Sequence, residues 1–381
     1  MIELENVTKI FPGQTQPAVE SLSLEIPDGE ICILVGPSGC GKTTTMKMVN
    51  RLIEPTSGQI FVEGQNIMEM NPIDLRRNIG YVIQEIGLFP HMTIRENIGT
   101  VPHLLGWSSD RINERVDDLL TIVSMDPAEF RDRYPHELSG GQRQRIGVAR
   151  ALAADPPIML MDEPFGAIDP ITRERLQNEF MRLQRRIKKT IIFVTHDIDE
   201  AIKIGDRIAI LQTGGRLEQY GTPNEILATP ANEFVEEFVG ADRTLKRLNL
   251  IRAEEVMNKN PRTVLDSQSV SEVLNYMDVE EVNNLLVVDS DDRVQGYVTH
   301  KMLRGRGGQV GAAVRSLSTT VEAGTTLKDV FSEMLTYDIG YVCVVDASKR
   351  LLGLVTVDAI HRSVGETYTE KGGVRSGDES A

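Results

Sequence analysis

The chain has 381 residues, 40% hydrophobic and 25% charged, the balance of an ordinary globular protein with room for two or three domains. Its 56 acidic against 41 basic residues give a net charge of −15, which argues against a general nucleic-acid binder and permits small-molecule or protein partners. No apolar run approaches the roughly 20 residues that cross a bilayer, the N-terminus has no basic-then-apolar signal pattern, and Cys32, Cys40 and Cys343 lack metal or redox spacing, which suits a reducing cytosol.

Taken in order, residues 1–26 read as strand, turn, strand: Ile2, Leu4 and Val7, then Val19, Leu22, Leu24 and Ile26, with Pro12-Gly13-Gln14 between them. Phe11, just before the turn, is either a core aromatic or one that stacks on an adenine face. The apolar run Ile31-Cys32-Ile33-Leu34-Val35 reads as a buried strand. It leads into Gly36-Pro37-Ser38-Gly39-Cys40-Gly41-Lys42-Thr43, a full G-x-x-x-x-G-K-[ST] phosphate loop, and Thr43-Thr44-Thr45 begins a helix. Glycines at the tight turns let successive N–H groups cradle phosphate oxygens at the positive end of that helix. Lys42 would reach the β- and γ-phosphates and the Thr43 hydroxyl would ligate Mg²⁺. Cys40 is read as a small spacer.

A short strand follows at 58–64, then Ile79-Gly80-Tyr81-Val82-Ile83-Gln84, a buried strand ending in an amide. Gln84 is a solvated cap or a Mg²⁺ ligand that reports on the nucleotide. From residue 85 to about 154 the pattern is mostly helical, with Ile112, Val116, Leu119 and Leu120 on one face. Within it lies Leu138-Ser139-Gly140-Gly141-Gln142. Ser139 is placed as an N-cap, and two glycines expose N–H groups at the start of a helix, a second anion-binding terminus. Pro157-Ile158-Met159-Leu160-Met161-Asp162-Glu163 is a strand ending in two carboxylates, Asp162 placed to hold Mg²⁺ through water and Glu163 to orient and deprotonate the attacking water. Thr190-Ile191-Ile192-Phe193-Val194-Thr195-His196 is a strand ending in a histidine that either caps the next helix or contacts a γ-phosphate.

These motifs, with Gly166-Ala167-Ile168-Asp169, occur in the order and context of the ATP-binding subunit of an ABC transporter, and the resemblance covers residues 1–240. It implies an α/β fold, a P-loop NTPase with a RecA-like core and a helical subdomain, that hydrolyses ATP with Mg²⁺ as a dimer. Carried over, Phe11 stacks on adenine, and the loop through Thr44, with Asp169, binds nucleotide. Thr43, Gln84 and Asp162 serve the metal, and Glu163 is the base with Lys42, Gln84 and His196 assisting. Ser139, Gly140, Gly141 and Gln142 contact the nucleotide held by a second subunit. Ile168 stands where the family usually has leucine; both are apolar.

The stretches 41–55, 87–94 and Tyr134-Pro135-His136-Glu137 resemble importers of quaternary-amine osmoprotectants such as glycine betaine, carnitine and choline. That likeness implies membrane permease subunits, an extracytoplasmic substrate-binding protein and a peripheral place on the cytoplasmic face of the membrane, with no nucleic-acid partner. Another importer class, for amino acids or metals, is the competing reading, and a soluble non-transport ABC ATPase the more distant one.

Beyond a linker at 241–250 the chain repeats itself. Val287-Val288-Asp289, Gly296 and Val298-Thr299 recur as Val344-Val345-Asp346, Gly353 and Val355-Thr356 at a constant offset of 57. The units, 251–308 and 309–366 in β-α-β-β-α order, resemble tandem CBS domains, which fold into one module. Adenosine-nucleotide CBS sites usually end Gly-x-x-Thr-x-x-Asp. Here Met302 and Ala359 stand at the Asp position, with Asp358 one residue early, which weakens AMP or ATP binding and leaves a cyclic dinucleotide, or salt, as the regulator; a dimerisation or packing domain without a ligand is the other reading. Tyr341, with Thr299 and Thr356, is the candidate for that site. The tail, 367–381, has the composition of a disordered segment.

Overall fold

The computed structural model describes residues 1–83, 87–166 and 168–365. Gln84 and the tail lie outside the described residues. The chain divides into two compact units, Met1–Ala241 and Asp242–Ala381.

In the first unit the strands are β1 (Ile2–Lys9), β2 (Val19–Ile26), β3 (Ile31–Val35), β4 (Ser57–Val62), β5 (Gln65–Asn66), β6 (Ile79–Val82), β7 (Ile158–Asp162), β8 (Thr190–Thr195), β9 (Arg207–Gln212) and β10 (Arg216–Gly221). The larger sheet has the order β10-β9-β3-β8-β7-β6, parallel from β9 to β6, with β10 antiparallel at one edge. Every residue of β3, β7 and β8 is buried, which is why these strands read as unbroken apolar runs. The smaller antiparallel sheet, β2-β1-β4-β5, alternates instead. Its inner face (Leu4, Leu22, Leu24, Ile26) packs on Leu34 and Ile192 of the larger sheet. The β9–β10 hairpin turns at Gly214 and Gly215, with φ of 86° and 66°.

Register decides where chemistry can happen. Val35 pairs with Thr195, and Asp162 pairs with Val194, so the carboxyl ends of β3, β8 and β7 form one rim. In open parallel sheets ligands bind at that rim.

The helical stretch contains the helices Ile94–Leu104, Ser109–Ile122 and Gly140–Leu152. Val116, Leu119 and Leu120 are buried as their spacing predicts, while Ile112 is half-buried. Asn97 is fully buried. Its amide accepts from the Phe89 N–H at 2.8 Å and donates to the carbonyls of Phe89, Met92 and Thr93, fastening that loop to the helix.

The second unit holds β11 (Thr263–Leu265), β12 (Asn284–Val288), β13 (Val294–Thr299), β14 (Thr320–Glu322), β15 (Tyr341–Val345) and β16 (Leu351–Thr356). They form two sheets, β11-β12-β13 and β14-β15-β16, each with a parallel first pair, spanned by the helices Val270–Val279 and Leu327–Tyr337, and an antiparallel second pair. The copies exchange their leading segments. Asn258 bridges Leu354 of the second copy, and Arg315 bridges Tyr297 of the first, the same contact made twice. This explains the repeated glycine: a Cβ on Gly296 would lie 2.2 Å from the Arg315 carbonyl oxygen, and one on Gly353 would lie 2.8 Å from that of Asn258. The stretch read as a linker includes the helix Arg243–Leu248, whose Leu248 is buried with Val321 and Val355 in the second copy's core.

Candidate active site

After β3 the chain turns through Gly36 (φ 155°), Gly39 (φ 80°) and Gly41 (φ 96°). A Cβ on Gly36 would sit 2.1 Å from the Leu211 carbonyl oxygen and one on Gly41 2.4 Å from that of Ala18, so close packing as well as dihedral demands glycine there. Gly41 caps the helix Lys42–Val49 with no side-chain bond to its first N–H groups, which leaves them to an external acceptor. Pro37 and Thr44 are half-buried, Ser38 and Gly39 exposed. Cys40 is fully buried in the core, as a spacer should be. Lys42 is only 7% exposed, and its ammonium donates to the carbonyls of Gly36 (2.7 Å) and Pro37 (3.0 Å). It also reaches the Cys40 sulfur at 3.6 Å, and a buried cation whose hydrogen-bond partners are all uncharged is complementary to an anion.

The Thr43 hydroxyl donates to Asp162 Oδ1 at 3.0 Å. Burial raises the pKa of the Asp162 carboxyl above the ordinary carboxylate value, the Thr43 hydrogen bond opposes that, and neighbouring Glu163 adds to it. A hydroxyl and a carboxylate are the hard oxygen donors Mg²⁺ takes when phosphates and water complete its shell, so the residues fit the metal. Glu163 sits in the left-handed region at φ 44°, costly for a side chain other than glycine, and its N–H donates to the Val194 carbonyl. Its Oε2 lies 3.3 Å from His196 Nδ1. His196 is not the cap of the next helix: Asp197 is, accepting from the N–H groups of Asp199 and Glu200.

Ser139 caps Gly140–Leu152 through a reciprocal pair of bonds, Gln142 N–H to Ser139 Oγ (3.3 Å) and Ser139 N–H to Gln142 Oε1 (2.8 Å). Neither Gly140 nor Gly141 has positive φ. A Cβ on Gly140 would meet nothing within 4 Å, and one on Gly141 methyl groups of Thr172 at 3.4 Å and Leu176 at 3.7 Å. Nothing within the chain therefore demands glycine at position 140. Among the described residues no hydrogen bond or ion pair joins 139–142 to the phosphate loop. Asp169 caps Pro170–Ile187 by accepting from the Thr172 N–H, which lowers its pKa. Phe11 is half-exposed at its turn with the Lys9 ammonium 5.4 Å from its ring centroid, so it is no core residue.

In the second unit a cavity of about 270 Å³ is lined by Asn284, Tyr297, Thr319, Asp338 and Tyr341. Burial, with Cys343 and Tyr297 nearby, pushes the Tyr341 hydroxyl up to about 12. Thr299 and Thr356 accept from the N–H groups of Met302 and Ala359, each at 3.2 Å. The sequence reading missed two supports of the loop that follows Gln84: Asn97, and Arg150, whose guanidinium donates to the Gly87 carbonyl at 2.6 Å.

A phosphate loop, paired carboxylates and a histidine on one sheet rim, with a separate Ser-Gly-Gly-Gln helix start, define an ABC-type ATPase. The ABC transporter family matches residues 19–166, and the CBS domain family matches residues 253–306 and 314–366. The chain is 54% identical over 372 residues, 96% of its length and 97% of the relative's, to the glycine betaine/carnitine/choline transport ATP-binding protein OpuCA of Bacillus subtilis. It is 49% identical, over 94% of its own length and 95% of the relative's, to the osmoprotectant import ATP-binding protein OsmV of Salmonella typhimurium. Among solved structures, the dimeric bacterial ABC transporter cassette MJ0796 is 34% identical with a TM-score of 0.53, covering 58% of this chain and 99% of that one. The chain belongs to the ABC transporter ATP-binding proteins, with a C-terminal pair of CBS domains. Among the described residues no helix is long and apolar enough to cross a membrane.

Proposed function

We propose that this chain is the ATP-hydrolysing subunit of an importer of quaternary-amine osmoprotectants (glycine betaine, carnitine or choline), held on the cytoplasmic face of the membrane by permease subunits that receive substrate from an extracytoplasmic binding protein. The observation that carries the substrate class is the near-full-length similarity to OpuCA, which extends through the CBS pair. Uptake of labelled glycine betaine, carnitine and choline in cells lacking the chain and in cells given it back tests this. Restored uptake of none of the three would overturn the substrate class.

In this reading the loop 36–44 wraps the phosphates, and Lys42 exchanges its carbonyl partners for phosphate oxygens. Phe11 stacks on the adenine. Thr43 and Asp162 would hold Mg²⁺, with Gln84 as a further ligand, and the cation would supply neutralisation of charge on the transferred phosphoryl group. Glu163 accepts a proton from water as its oxygen bonds to the γ-phosphorus and the bond to the bridging oxygen breaks, releasing ADP. His196, 3.3 Å from Glu163, steadies the water and the γ-phosphate. The nucleotide is covered by Ser139 to Gln142 of a second copy, and Asp169 approaches it from the same side. Support for a second copy comes from Gly140, whose missing side chain leaves open space within its own chain. Glu163→Gln should bind ATP and lose turnover; normal hydrolysis would remove Glu163 as the base.

The CBS pair regulates this cycle. Its cavity pairs two aromatics, Tyr297 and Tyr341, with polar Asn284 and Thr319, a lining suited to stacking one base of a cyclic dinucleotide.

A further inference from the structure

A cavity of about 260 Å³ lies between the helices Gly140–Leu152 and Pro170–Ile187, closed at one end by residues that finish Ser109–Ile122. None of the nucleotide-site side chains lines it. Its floor is apolar and aromatic: Phe165 and Phe180, both buried, meet edge to face with centroids 6.1 Å apart, and Leu176 and Leu183 flank them. Two buried polar atoms in this lining have no hydrogen-bond partner. Gln144, 8% exposed, leaves Oε1 unsatisfied, and Arg145 leaves Nε unsatisfied although its Nη2 pairs with Glu179 at 2.9 Å. Leaving such groups unpaired is costly, and an occupant offering a donor to one and an acceptor to the other would relieve it. At the mouth Arg182 and Arg186 are exposed, and neither makes an ion pair with a described residue. Three guanidinium groups thus face one carboxylate, Glu179, in a protein of net charge −15.

We propose that this cavity is a binding site for a small organic anion with an apolar, preferably aromatic, body. The body would lie on Phe165 and Phe180, a carboxylate, sulfonate or phosphate would meet Arg182 and Arg186, and a donor on the body would reach Gln144. Such a ligand would touch both the helix that starts at Ser139 and Phe165, two residues past Glu163. It would sit behind the nucleotide site, outside it.

The test uses the full chain and anilinonaphthalene sulfonate, whose fluorescence reports an apolar environment. Saturable one-to-one binding is expected with a dissociation constant of roughly tens of micromolar. A saturating non-hydrolysable ATP analogue should not displace it. The neutral analogue without the sulfonate, and the exposed double variant Arg182→Glu with Arg186→Glu, should each weaken binding about tenfold or more. No saturable binding up to about ten times that concentration, displacement by the ATP analogue, or indifference to the charge reversal would each overturn the assignment.

Discussion

The Thr43 hydroxyl donates to the Asp162 carboxylate across 3.0 Å, tying the first turn of the phosphate-loop helix to the end of β7. The two proposed metal ligands are therefore already joined, and the joint has an energetic consequence. Burial holds the Asp162 pKa above its ordinary value. Protonation therefore favours the folded chain at acid pH, and that contribution is lost as pH rises through the raised value. In the nucleotide-free protein the cost of burying that carboxylate is offset in part by the Thr43 hydroxyl and by the Lys47 and Lys42 ammonium groups, while neighbouring Glu163 adds to it. Asp162→Asn, which keeps an acceptor for Thr43, should stabilise the nucleotide-free first unit by about 1 kcal/mol while lowering ATP turnover roughly 100-fold or more. Unfolding temperatures followed from pH 8 downward should show the gain near neutrality and its shrinkage as pH falls through the raised value.

His196→Ala should retain ATP binding and lose about two orders of magnitude in turnover. Its stability should move by less than about 0.5 kcal/mol, because His196 is 60% exposed and Asp197 does the capping. Asp197→Ala, by contrast, should cost about 1 kcal/mol. Equal stability losses in both variants would return His196 to a structural role.

Gly296→Ala should destabilise the CBS pair by about 2 kcal/mol or more, since its Cβ would meet the Arg315 carbonyl oxygen at 2.2 Å, a backbone atom that cannot swing away. Gly307→Ala, where a Cβ meets nothing within 4 Å, should be close to neutral. Thermal unfolding of the two variants checks both.

Tyr341→Ala should weaken binding of a cyclic dinucleotide at least tenfold, while Tyr341→Phe, which keeps the ring, should change it little. Isothermal titration of the full chain decides. No binding to the unaltered protein, or an unaffected Tyr341→Ala, would remove the stacking role.

Much of the ATPase fold was legible because buried parallel strands need unbroken apolar runs, and Ile31-Cys32-Ile33-Leu34-Val35 is one. The rim chemistry was legible because the first such run leads into the phosphate loop while the runs at 158–162 and 190–195 end at Asp162 and just before His196. Other features were hidden for physical reasons. The exchange of leading segments between the CBS copies rests on isolated bridges, Arg252 and Asn258 from one copy and Gln309 and Arg315 from the other, which impose no periodicity on the sequence. Leu248 sat in a stretch too short and charged to announce a core helix. The β9–β10 hairpin did carry a signal, the Gly214-Gly215 pair, and it went unread. Phe11 and His196 each had two readings because their alternatives depend on neighbours distant in the chain; the structure removes the core reading for one and the capping reading for the other.

The central claim is that one chain supplies half a hydrolytic site. Mixing two inactive variants, Lys42→Ala and Ser139→Arg, tests it most directly through ATP hydrolysis. Paired chains would combine the intact phosphate loop of one with the intact Ser139 turn of the other, so each variant alone should be inactive and an equal mixture should recover a substantial fraction of turnover. No recovery, or a Ser139→Arg chain that hydrolyses ATP normally by itself, would contradict the account.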